Sequence, residues 1–122
     1  MQDLIVIKFG GSLITEKTSS VPKAKLEALE QIANTINVTS KKMIIVHGAG
    51  SYGHPIAKKY GISEGLNNNP KQKEAIDETR KQVHVLNKLL CSKIQKKGIQ
   101  TKTIIPSETM KTKGPKKIEK FP

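Results

Sequence analysis

With 122 residues, the chain has room for one small domain with a modest core. Its hydrophobic share is 35%, with two Tyr, two Phe and no Trp, so the core is expected to be aliphatic, built from Ile, Val and Leu. No run approaches the roughly 20 apolar residues of a membrane span, and the single cysteine, Cys91, excludes an intrachain disulfide and fits a reducing compartment.

The net charge of +12 could serve nucleic acid, an acidic membrane surface or phosphorylated small molecules. Its distribution argues against a dedicated nucleic-acid module. The lysines are spread along the chain, mostly in pairs on helical faces, and stacking aromatics are almost absent. A solvated lysine-rich surface is the expectation, with neither a nucleic acid nor a membrane as partner.

In chain order, Met1-Gln2-Asp3 runs straight into Leu4-Ile5-Val6-Ile7-Lys8-Phe9, so no secretory signal is expected ahead of the fold. This near-continuous apolar run reads as a strand covered on both faces. Gly10-Gly11-Ser12 ends it. A lysine near the end of a buried strand, followed by two glycines and a serine, offers charge, N–H groups and a hydroxyl to a phosphate. Lys-x-Gly-Gly-Ser is common enough after strands to be weak by itself. Leu13 to Lys17 is expected as an extended or turn segment from which Lys17 could fold back over the same place. Ser20 is the expected N-cap before Val21-Pro22. Leu26, Leu29, Ala33 and Ile36 then form one helical stripe, which Asn37 to Ser40 ends.

Met43-Ile44-Ile45-Val46 is the second strand, and strand–helix–strand at this spacing predicts a parallel βαβ unit. It feeds His47-Gly48-Ala49-Gly50-Ser51-Tyr52-Gly53-His54-Pro55. A glycine-rich turn between a strand and a helix brings backbone N–H groups close to a ligand, and the helix start favours an anion. Pro55 suits the first turn of that helix, where a missing N–H costs little. His54 stands at its entrance with a ring able to donate to a phosphate oxygen. The helix runs through Ile56 to Tyr60 and stops at Gly61.

After a loop with Gly65 and Asn67-Asn68-Asn69, Asn69-Pro70 launches the longest periodic segment, Lys71 to Lys97. Ile76, Thr79, Val83, Leu86, Leu90 and Ile94 lie along one side of it, a stripe to pack on a sheet or on a second copy of itself. Cys91 reads as an inert helix-flank thiol and His84 as structural or exposed. Gly98 closes the helix, and Ile99 to Ile105 is a third strand candidate. Pro106 to Pro122, with five lysines and Gly114-Pro115, reads as a loop or frayed tail.

These motifs resemble the amino acid kinase superfamily and, within it, the isopentenyl phosphate kinases. Ile7-Lys8-Phe9-Gly10-Gly11-Ser12 is similar to the first-strand motif shared across the superfamily. The stretch His47 to His54 is similar to the second glycine loop of the isopentenyl phosphate kinases, including the histidine that sets them apart from most relatives. Thr15-Glu16-Lys17 resembles their segment with a catalytic lysine, and Thr79 to Pro106 their long helix and following strand. The departures are small: Ala49 where many members have Gly, Tyr52 for Phe, and Phe9 for Leu.

The resemblance implies a three-layer α/β/α sandwich with a mainly parallel sheet, truncated after its N-terminal half. Residues 1–107 would be the N-terminal, acceptor-phosphate-binding part. Residues 108–122 would be a lysine-rich loop or tail leading towards a nucleotide-binding half that this chain does not contain. It further implies transfer of the ATP γ-phosphoryl to isopentenyl phosphate, giving isopentenyl diphosphate for isoprenoid biosynthesis by the alternate mevalonate pathway. The catalytic residues would be Lys8, Lys17 and His54. Ala49, Gly53 and His54 would bind substrate, and Lys8, Phe9, Gly10, Gly11, Ser12 and Gly50 would bind ATP. No protein metal ligand is implied, since Mg2+ would arrive with the nucleotide. The complete enzyme would be a cytoplasmic homodimer, with the Ile76–Ile94 stripe contributing to the contact, and the 122-residue chain alone is expected to be inactive. Two other readings are a fosfomycin-type phosphonate kinase on the same fold and a non-catalytic phosphate-binding fragment.

Overall fold

A computed structural model describes residues 3–39, 41–112 and 118–120. Met1-Gln2, Ser40, the Gly114-Pro115 loop and the Phe121-Pro122 end, each given a reading above, lie outside the described residues. Strand β1 (Leu4–Phe9) pairs in parallel with β2 (Lys42–His47), in a register that sets Lys8 beside Val46 and Phe9 beside His47. The crossover between them carries α2 (Leu26–Asn37) and, before it, the single turn α1 (Gly11–Ile14). A 3-10 turn at Gly50–Tyr52 and the short α3 (His54–Lys59) follow β2, and then comes α4 (Pro70–Gln95). The expected parallel strand–helix–strand order is what forms.

The core lies between the sheet and the pair α2 and α4. Leu29, Ile32, Ala33 and Ile36 of α2 meet Leu86, Leu90 and Ile94 of α4, with Ile14 and Tyr52 closing one end. Phe9, Met43 and Ile45 pack on this cluster from the sheet. Burying each such aliphatic side chain stabilises the fold by roughly 1.5–3 kcal/mol. Side chains of a strand alternate between faces, so the other face of β1 and β2 carries Leu4, Val6, Lys8, Ile44 and Val46. The four apolar ones remain 46–63% exposed. Coverage on both faces, expected from the continuous apolar runs, is thus met on one face only among the described residues. A run without alternation says that both faces are apolar, and cannot say which element comes to cover each.

Other expectations are corrected in the same way. Residues 11–14 wind into α1, although an extended or turn segment was expected from Leu13 on. Ser20 caps nothing: α2 starts at Leu26 after Lys25, and it is Ser19 that closes a tight turn, donating to the Val21 carbonyl at 2.7 Å. Leu26 is exposed, so the stripe of α2 begins at Leu29. Asn69 does cap α4, its side chain accepting from the Lys71 N–H at 3.0 Å. The α4 stripe packs on α2 within the chain, so Leu86, Leu90 and Ile94 are not available to a second copy. Residues 99–105 join no ladder among the described residues. Their polar side chains bond back to α4 instead, Gln95 Nε2 donating to Thr101 Oγ1 at 2.7 Å. The segment expected as a tail forms the single turn α5 (Pro106–Thr109) and an antiparallel pair, β3 (Lys111–Thr112) with β4 (Ile118–Lys120). No helix among the described residues is long and apolar enough to cross a membrane.

Candidate active site

The two glycine turns, nearly 40 residues apart in the chain, meet backbone to backbone. Because β1 and β2 are parallel neighbours, both turns leave the same end of the sheet, and Gly48 N donates to Phe9 O at 2.9 Å as they do so. A Cβ on Gly48 would stand 2.6 Å from Gly11 N, and one on Gly11 would overlap Gly50 N. Gly50 has φ +50, the left-handed region, and a Cβ there would overlap Thr15 Oγ1. Only glycine allows this approach.

Two buried hydroxyls lock the contact. Thr15, fully buried, donates its hydroxyl to Gly11 O at 2.7 Å and accepts from Ser51 N at 3.1 Å. Ser51, 3% exposed, donates to Lys23 O at 3.3 Å and accepts from Lys23 N at 3.0 Å. Each hydroxyl is used as donor and acceptor, so the first turn, the second turn and the segment around Lys23 form one hydrogen-bonded seam. That segment pairs back on itself: Thr15 bridges Ala24, and Glu16 N donates to Lys23 O at 2.9 Å. Lys17 sits in the turn at the tip of this small hairpin. Lys25 Nζ holds the carbonyl of Ser12 at 2.9 Å, tying the start of α2 to α1.

Around the seam lies an exposed rim. Lys8 is exposed near the end of β1, Lys17 is exposed on the hairpin, and His54 is the exposed first residue of α3. Among the described residues the side chains of these three make no hydrogen bond or ion pair. Gly10, Gly11 and Ser12 form the first turn, with Gly10 and Ser12 exposed, and Phe9 is half-buried against the core. Ala49 and Gly53 are adjacent, since a Cβ on Gly53 would lie 2.9 Å from Ala49 Cβ and 3.4 Å from Thr79 Cγ2 of α4. Gly50 is buried in the seam. Helix α3 has six residues, so an anion here would depend on local N–H groups and lysines more than on a summed helix dipole. Two shallow depressions flank the fold, one lined by Gln95 and Gly98 to Thr101 and the other by Glu16 and Ala24 to Ala28, beside the hairpin that carries Lys17.

Sequence reading missed the seam's hydroxyls. Thr15 and Ser51 stand inside the quoted motifs, but nothing in their spacing announces that they bond to each other's turn. Asn87, which bonds to His47, and Thr103, which bonds to Asn87, fall in the stretch similar to the family's long helix and following strand, but their spacing assigns neither a role.

Residues 3–120 match the family model described as the amino acid kinase family. The chain belongs to that family. Among proteins named isopentenyl phosphate kinase, that of Methanothermobacter thermautotrophicus is 36% identical over 108 residues, which cover 85% of this chain and 41% of the relative. That of Methanocaldococcus jannaschii is 32% identical over 115 residues, 85% of this chain and 44% of the relative. A solved isopentenyl phosphate kinase superposes with a TM-score of 0.82 at 34% identity, covering 90% of this chain and 47% of that one. A product complex of the T. acidophilum isopentenyl phosphate kinase, at 21% identity and TM-score 0.82, shares the fold over 96% of this chain and 47% of its own. The chain spans about half the length of the relatives it matches. Within that span its fold is the amino acid kinase fold, as the resemblance implied.

Proposed function

We propose that this chain carries the acceptor-phosphate side of an ATP-dependent phosphotransferase acting on isopentenyl phosphate. The observation that carries the reading is the meeting of the two glycine turns, each following a parallel strand, with Lys8 and Lys17 nearby on the elements that the seam ties together. The similarity to proteins named isopentenyl phosphate kinase supports the choice of substrate.

In this reaction an oxygen of the acceptor phosphate attacks the γ-phosphorus of ATP. The bond from that phosphorus to the β–γ bridging oxygen breaks, ADP leaves with the bond's electron pair, and a new P–O–P linkage forms. Two anions must approach, so the protein's work is charge cancellation and alignment. Lys8 and Lys17 offset the charge on the transferring phosphoryl. Gly10, Gly11 and Ser12, with Phe9 behind them and Gly50 opposite, hold the nucleotide phosphates. Ala49 lends its N–H to the acceptor phosphate, Gly53 keeps the loop close to α4, and His54 hydrogen-bonds the same phosphate. Mg2+ accompanies the nucleotide. Removing one such donor typically lowers rate by about 10²–10³. In the cell the complete enzyme would work as a cytoplasmic homodimer, and residues 1–107 form its acceptor-binding part, with 108–122 leading out of it.

The test is calorimetry on the 122-residue chain with isopentenyl phosphate, isopentenol, fosfomycin and ATP. Binding of isopentenyl phosphate, no binding of the alcohol, and a loss of about tenfold or more in His54→Ala with partial recovery in His54→Gln are expected. Tighter binding of fosfomycin would move the reading to a phosphonate kinase. Binding of isopentenyl phosphate and the alcohol alike would overturn the phosphate site.

A further inference from the structure

A chain of hydrogen bonds runs from the segment after α4 into the second glycine turn. Thr103 Oγ1 donates to Asn87 Oδ1 at 2.8 Å, Asn87 Nδ2 meets His47 Nε2 at 3.1 Å, and His47 Nδ1 meets the carbonyl of Gly48 at 2.9 Å. A carbonyl only accepts, so Nδ1 carries the proton and Nε2 is the acceptor of the Asn87 amide. The opposite amide orientation would put Asn87 Oδ1 on Nε2 and require a proton there as well. Thr103 Oγ1 would then accept from Nδ2 instead of donating, and the weaker thiol contact from Cys91 at 3.6 Å would be lost. For a neutral ring the network therefore assigns one amide orientation and one tautomer together.

The carbonyl that His47 holds belongs to the peptide joining Gly48 to Ala49. In a trans peptide the C=O and the N–H point in opposite directions within one plane. The other end of Gly48 is already fixed, its N–H bonded to Phe9 O. Fixing the carbonyl therefore fixes where the Ala49 N–H points.

We propose that Asn87 is a positioning residue: by holding His47 as the Nδ1–H tautomer it aims the Ala49 N–H at the acceptor phosphate. Only the identity of what that N–H meets rests on the function proposed above; the aiming itself does not. Asn87 touches no substrate and acts through His47 alone. Thr103 holds Asn87 in the orientation that this requires.

Nitrogen-15 NMR of the histidine rings in the full 122-residue chain tests this, with isopentenyl phosphate as the titrant. Wild type is expected to show His47 with a protonated Nδ1 and a pyridine-type Nε2. Asn87→Asp, which can only accept at that position when ionised, is expected to shift the proton to Nε2 or to protonate both nitrogens. Thr103→Val, an isosteric change at an exposed site, is expected to give a mixture of tautomers in a folded protein. In both variants the Ala49 amide resonance moves, and the affinity for isopentenyl phosphate falls by roughly three- to tenfold, the effect of one hydrogen bond. A wild-type ring protonated at Nε2, or a tautomer unchanged by either substitution, overturns the proposal. If the tautomer and the Ala49 amide respond as stated but wild type binds no isopentenyl phosphate, the positioning stands and the substrate reading falls.

Discussion

The buried seam between the two glycine turns and the exposed rim around it are built from the same short stretches of chain, yet they obey different rules. In the seam, Gly11, Gly48 and Gly50 touch through their backbones, and the hydroxyls of Thr15 and Ser51 each donate and accept. On the rim, Lys8, Lys17 and His54 are exposed and make no polar side-chain contact among the described residues. The difference teaches that neighbouring residues of one motif can divide the labour. The seam makes the geometry, and the rim carries the exposed lysines. Stability is expected to respond to the first and ligand affinity to the second.

The strongest way to break this division is Gly50→Ala. The new Cβ would sit at a positive φ and against Thr15 Oγ1, so strain and overlap add. A loss of about 3 kcal/mol or more is expected in urea unfolding. A change below about 1 kcal/mol would mean that the turns are not locked together. Thr15→Val keeps the shape but removes the bond to Gly11 O and strands the Ser51 N–H. It should cost about 2 kcal/mol, read as a lower urea midpoint at unchanged slope.

Lys8→Ala tests the rim. Its stability should stay within about 0.5 kcal/mol of wild type, as for other exposed sites, while affinity for isopentenyl phosphate falls by about tenfold or more. A destabilised variant with intact affinity would reverse the assignment of seam and rim. The smallest effect lies far from both. Glu30 on α2 meets Lys97 at 2.9 Å and Lys93 at 3.5 Å, and the Lys97 hydrogen bond holds its carboxyl below the usual carboxylate range. A depressed folded-state pKa gives stability that is present above the unfolded carboxylate's pKa and lost as pH falls through the folded one. Glu30→Gln should therefore lower the thermal midpoint slightly at neutral pH and leave it unchanged in acid, where wild type has already lost the contribution.

Much of this architecture was legible in the residues. Alternation of apolar runs with glycine turns gave β1, β2 and their parallel order, because strand and crossover lengths leave few alternatives. Asn69-Pro70 and Gly98 bracketed α4, since capping chemistry is local. The placement of Lys8, Lys17 and His54 beside the glycine turns was also legible, because it is a pattern within a few positions; their roles belong to the proposal. What could not be read is contact between distant positions. Thr15 and Ser51 look like ordinary turn residues until the fold brings them together, and Asn87 looks like any polar residue on the flank of a stripe. The Ile99–Ile105 run had strand composition but bonds back to α4 through Thr101 and Thr103, a choice set by the neighbouring helix and not by propensity.

The most direct measurement is backbone amide mapping by NMR as isopentenyl phosphate is added to the 122-residue chain. A single anion pocket made by both turns requires the amides of Gly10 to Ser12 and of Gly48 to Gly50 to shift together, with one dissociation constant. Shifts confined to one turn, or two turns titrating with different constants, would contradict it.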